Sequence, residues 1–143
     1  MSSLSNALIA AVGQIVESMY FRQAVYSGPS TLDASVISAS VSFSGPLTGK
    51  FRVALTSRLA RELTADFLVA EPSEILPSEV ISTTRELANI ACGTVLSAWL
   101  PSAAFDFETP QDLETGHTPD CFAHTFALSC GDPDMGVDIR IGS

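Results

Sequence analysis

Glu86, Asn89 and Gly93 are the residues of this sequence whose types and spacing could do chemistry together. Glu86 and Asn89 stand three positions apart. On a helix their Cβ atoms then lie about 5–6 Å from one another, so a carboxylate and an amide can reach one external target. Turning about 100° per residue from Glu86 puts Val80, Thr84, Leu87, Ala91, Val95 and Ala98 on one side of that helix. Glu79, Ser82, Glu86, Asn89, Gly93 and Ser97 fall on the other. One side reads as core and the other as free. A glycine in a helix interior costs about 1 kcal/mol relative to alanine, so Gly93 beside two polar groups points to close approach by another backbone. The competing explanation for Glu-x-x-Asn is a solvated helix face, and the pair alone does not separate the two.

Other chemistries fail on their motifs. The run from Gly45 to Lys50 is one residue too short for a phosphate loop, and Phe51 stands where Ser or Thr would hold magnesium, so it reads as a hairpin turn. Cys121, His124 and His117 do not make up the four ligands of a zinc site. His124 falls on the apolar alternation of its strand and reads as a core or edge histidine. Asp132, Asp134 and Asp138 lack the calcium-loop spacing and its closing Glu. No Gly-x-Ser-x-Gly nucleophile elbow is present. No metal ligand set is assigned to the chain.

The elements that must position the helix follow from periodicity. Leu4, Leu8, Val12, Ile15 and Met19 recur at three and four, which predicts a first helix over residues 5–21. Ser27-Gly28-Pro29-Ser30 reads as a loop. The period then changes to two: Ile37, Ala39, Val41 and Phe43 alternate with Ser38, Ser40 and Ser42, a half-buried strand with a serine face. The turn at 45–49 leads into Phe51, Val53 and Leu55 and closes a hairpin. Ser57 suits an N-cap for a short helix carrying Leu59, Leu63, Phe67 and Leu68. The long helix starts near Pro77, runs to Trp99 and stops before Pro101. Residues 104–107 read as a short strand and 108–120 as a loop. Phe122, His124, Phe126 and Leu128 then pair with Met135, Val137, Ile139 and Ile141 in a second hairpin about a turn at 131–134. The fold class is α/β, of the α+β kind: a single domain over residues 1–143, with a largely antiparallel sheet of two hairpins and long helices packed against it.

Bulk composition narrows the partners. A chain of 143 residues, 46% hydrophobic and 16% charged, is large and apolar enough for one core. Sixteen carboxylates against seven Lys and Arg give a net charge of −9, which argues against nucleic acid and anionic membranes. Three cysteines, Cys92, Cys121 and Cys130, do not make a disulfide framework and fit a reducing compartment as core or near-surface thiols. The apolar stretch 7–12 has no preceding Lys or Arg and is no targeting segment, and no run approaches the ~18 apolar residues of a membrane span. The expected location is the cytoplasm.

Taken in order, the serine-rich strand, the glycine-containing hairpin, the short helix and Glu86-Leu87-Ala88-Asn89-Ile90-Ala91-Cys92-Gly93 on a long helix resemble the CheC/CheX/FliY phosphatase family. Single-site, CheX-like members are nearest in size. Val16-Glu17-Ser18-Met19-Tyr20-Phe21, the hairpin from Phe43 to Gly49, and Pro110 and Gly116 are also similar to segments of that family. Two-site members carry a second Glu-x-x-Asn on the first helix, and here Glu17 is followed by Tyr20, which leaves one site.

The resemblance implies a phosphatase acting on the aspartyl phosphate of a CheY-like response regulator. Asn89 would orient the attacking water, since its carbonyl accepts from water and its NH2 donates to phosphoryl oxygen without a protonation state to tune. Glu86 would pair with the partner's active-site lysine, and Glu79, Ser82, Gly93 and Ser97 would complete the partner-binding face. The chain would need no cofactor of its own, with Mg2+ supplied by the receiver domain. Homodimers formed by joining sheets occur in the family, and the strand at 37–43 would serve. Two other readings remain: a response-regulator or flagellar-switch binding module without catalysis, and a dimeric structural domain whose polar helix face does no chemistry.

Overall fold

The computed structural model describes residues 2–20, 22–32, 36–108, 111–112, 120–128 and 131–142. The expected change of period produces β2 (Val36–Ser44) and β3 (Gly49–Thr56), an antiparallel hairpin with Ala39 opposite Val53 and Val41 opposite Phe51. Gly49 ends the turn as a glycine because a Cβ there would run into the Arg140 carbonyl and come within 2.6 Å of the Phe43 ring. β7 (Met135–Ile141) pairs with β3, β6 (Asp120–Ala127) with β7, and β1 (Val25–Leu32) with β6. On the far side of β2 lie two short strands, β4 (Asp106–Phe107) and β5 (Gln111–Asp112). Every pairing is antiparallel, in the order β1-β6-β7-β3-β2-β4 with β5 also on β2.

Three α-helices among the described residues cover the sheet: α1 (Ser2–Tyr20), α2 (Ser57–Leu68) and α3 (Pro77–Trp99). α3 lies on β2 and β3, and α1 packs along α3. Leu8, Val12 and Val16 of α1, Leu63 of α2 and Leu87, Ala91 and Val95 of α3 share one core with Val41, Phe51, Val53, Phe126 and Val137 of the sheet. The cap of α2 sits one residue earlier than Ser57: the Thr56 hydroxyl accepts from the Leu59 N–H at 3.2 Å. Proline at the first turn and Trp99 at the last bound α3 where the sequence placed them. Arg22, just beyond α1, fastens that helix to α2 by bonding Asp66 at 2.7 Å and Glu62 at 3.2 Å.

Several expectations need correction. Residues 27–30 are not a loop but the middle of β1. Gly28, at φ 78°, lets the strand bulge with register shifts on both sides, and Pro29 is tolerated because β1 is the sheet's edge among the described residues. β2 is not an edge, since β3 occupies one side and β4 and β5 the other. That removes 37–43 as a strand for joining sheets. Ser38 and Ser40 are buried rather than half-exposed, on the sheet face opposite the helices. A second cluster of Leu32, Val36, Ala54 and Phe122 is distinct from the main core, so Phe122 and Phe126 do not share one apolar face. The strand expected over 104–107 shortens to 106–107, and 111–112, expected in a loop, pairs with β2. Residues 109–110 and 113–119, with Pro110, Gly116 and His117, lie outside the described residues, as does Cys130.

Candidate functional site

Pro77 starts α3 with its fixed φ, and the Glu79 carboxylate accepts from the Leu76 N–H at 2.8 Å, closing the first turn. From there two stripes are buried. Val80, Thr84, Leu87, Ala91 and Val95 form the expected one, and Thr83, Ala88, Cys92 and Leu96 widen it because both the sheet and α1 pack on this helix. The buried Thr84 hydroxyl is satisfied locally, donating to the Val80 carbonyl at 2.9 Å. Ala98, expected in the core, is exposed near the end of the helix.

The other half of α3 carries the candidate residues. Ser82, Glu86, Asn89 and Ser97 are exposed, and Gly93 is partly so. Among the described residues neither Glu86 nor Asn89 has a hydrogen-bond or ion-pair partner, so both side chains are available to an outside group. A Cβ built at Gly93 meets nothing within 4 Å, so the fold itself does not require glycine there. Glu79 is half-buried and committed to the cap, which leaves Glu86 as the free carboxylate of the face.

Tyr20 stands close behind this face. Burial pushes its phenol up to about 12, and the negative charges of Glu86 and then Asp66 push the same way. Position 20 therefore holds a neutral, buried phenol near Glu86, and not an amide at the surface. Cys92, one turn below Asn89 on the buried side, has its thiol raised to about 12 by burial and is no nucleophile at neutral pH.

Periodicity did not reveal the cleft beside Glu86. Phe67 and Leu68 at the end of α2 face Ser78, Glu79, Ser82 and Glu86 of α3 across a space of about 410 Å³. A signal for it exists in the sequence: Phe67, Leu68 and Val69 are three consecutive apolar residues at a helix end, and a helix cannot turn all three inward. His124, expected as a core or edge histidine, is instead partly buried on β6, an interior strand paired with β1 and β7; burial lowers its pKa, and its Nδ1 lies 3.0 Å from the Tyr26 hydroxyl. No group of three or more His, Cys, Asp or Glu among the described residues is placed to hold a metal ion. Among them, too, no helix is long and apolar enough to cross a membrane.

The chain's fold matches a CheC-like superfamily protein from Shewanella sp. PV-4 at TM-score 0.76 and 18% identity, covering 99% of this chain and 98% of that one. It matches the chemotaxis protein CheX from Vibrio vulnificus at TM-score 0.75 and 20% identity, covering 96% of each. The CheX-CheY-BeF3-Mg2+ complex from Borrelia burgdorferi matches at TM-score 0.73 and 16% identity, over 96% of this chain and 97% of that one. No curated protein sequence matches. The profile of the family described as chemotaxis phosphatase CheX matches residues 37–118, more than half of the sequence and all of α3, and so the chain belongs to the CheX family of chemotaxis phosphatases.

Proposed function

We propose that this protein hydrolyses the aspartyl phosphate of a CheY-like receiver domain, with Asn89 orienting the attacking water and Glu86 pairing with the receiver's active-site lysine. The observation that carries the reading is the pair itself. Glu86 and Asn89 lie one turn apart, exposed and without a hydrogen-bond or ion-pair partner among the described residues, on a helix whose opposite half is locked into the core. A rigid support of this kind is what a positioning group needs, because about 1 Å of misplacement can cost on the order of a hundredfold in rate. The Borrelia CheX neighbour, solved with CheY, BeF3 and Mg2+, supports a receiver as partner.

In the proposed step water attacks phosphorus in line, the bond between phosphorus and the aspartate oxygen breaks, and inorganic phosphate leaves a free carboxylate on the receiver. Asn89 accepts a hydrogen bond from that water through its carbonyl and donates to a phosphoryl oxygen through its NH2. The receiver's Mg2+ and lysine neutralise the developing charge, so this chain supplies no metal of its own. Ser82, Gly93 and Ser97 bound the area the receiver covers, Gly93 by leaving room. Glu79 contributes through the position of the first turn, its carboxylate being held by Leu76. The test is to incubate the protein with each phosphorylated receiver domain of the same organism. Accelerated phosphate loss from at least one is expected, and acceleration of none contradicts the reading.

A further inference from the structure

The cleft between the end of α2 and the start of α3 has a composition that suits one kind of visitor. Its floor is apolar, from Phe67 and Leu68, which are 49% and 42% exposed although they are large hydrophobic side chains on a folded helix. Its α3 wall carries the free carboxylate of Glu86 and, beside it, the Glu79 carboxylate held in the helix cap, and among the described residues no cation lines it. An apolar side chain alone would gain nothing from the wall, and a lone cation nothing from the floor. The cleft is complementary to an apolar residue borne next to a lysine or arginine.

Glu86 belongs at once to this cleft and to the proposed catalytic pair, and that continuity fixes the occupant. Whatever places a cation on Glu86 brings the surface around that cation over Phe67 and Leu68. Resting on the function proposed above, we propose that the cleft seats an apolar side chain of the receiver domain, carried beside the lysine that pairs with Glu86. Affinity then comes from Phe67 and Leu68, whereas rate comes from Asn89. The two ends of the α3 face divide the work. Its N-terminal half holds the receiver against α2, and the turn at Asn89 meets the phosphoryl group.

The experiment titrates the protein with receiver domains of the same organism activated by Mg2+ and beryllofluoride, and measures phosphate release from the same receivers when phosphorylated. Phe67→Ser and Leu68→Ser are each expected to raise the dissociation constant about tenfold, as for residues that anchor an interface, while release at saturation stays within about twofold. Phe67→Leu, which keeps the floor apolar, is expected to restore binding. Both positions are exposed, and an unchanged thermal transition shows that the variants fold. If Phe67→Ser and Leu68→Ser bind as wild type does while Asn89→Ala still abolishes release, the cleft proposal is overturned and the phosphatase reading stands. If the substitutions leave receiver binding alone and instead dissociate a dimer of this chain, a second copy fills the cleft and the proposal is overturned. If wild type accelerates release from no receiver, the reading and the proposal fall together.

Discussion

At position 93 the helix carries the residue that weakens helices most after proline, in a place where the fold leaves open space. Gly93→Ala is therefore expected to raise stability by about 0.5–1 kcal/mol, read from the denaturant midpoint at constant slope. The same change is expected to weaken receiver binding, because the methyl group occupies the surface the partner approaches. A loss of stability would mean that the glycine serves the fold, and its proposed role would lapse. Asn89 and Glu86 differ from it in that their exposure alone does not mark them as functional; many exposed polar residues do nothing. Their weight comes from spacing, from the absence of partners among the described residues, and from lying in the family-matched span.

Among the elements, α2 ends unusually. Its final turn closes with the Ala70 N–H on the Ala65 carbonyl at 3.0 Å and the Val69 N–H on the Asp66 carbonyl at 3.4 Å, a Schellman arrangement. Glycine normally takes the left-handed position of that motif, yet Val69 holds it at φ 53° and is 91% exposed. Val69→Gly is expected to stabilise the fold by about 1 kcal/mol through relief of backbone strain, measured as a rise in the unfolding midpoint; a fall would show that the valine side chain stabilises α2. Much of the element plan was legible beforehand. Pro77 and Pro101 bound α3, and the serine alternation of β2 announced its strand and its face. β1 was not legible, because Ser27-Gly28-Pro29-Ser30 has turn composition and only pairing with β6 makes it a strand. The width of the buried surface on α3 also escaped, since a single stripe is all that a helical projection shows and α1 claims a second. The same limit hid the cleft: Phe67 and Leu68 continue the apolar series of Leu59 and Leu63 along α2, and only the approach of α3 makes a cleft of them.

For the molecule as a whole, burial of two titratable groups in the helical layer sets an alkaline limit. Cys92 is raised from 9.0 to about 12 and Tyr20 from 10.0 to about 12, chiefly by burial. In the unfolded chain both lose protons at lower pH than in the folded one, so between those values the unfolded state binds fewer protons and stability falls as pH rises. The stability they protect is complete below about pH 9 and is lost progressively toward about pH 12. Unfolding free energy should therefore decline across that range, with a shallower decline in Cys92→Ala; a flat profile would contradict the burial of these groups. The same assembly of helices on one sheet holds the exposed half of α3 still, and the catalytic proposal depends on that rigidity. Its most direct test is the rate of inorganic phosphate release from the cognate phosphorylated receiver at saturating protein, wild type against Asn89→Ala. A fall of about a hundredfold is expected with receiver affinity kept within about threefold, as for a group that acts in the transition state; equal rates would contradict the water-orienting role of Asn89.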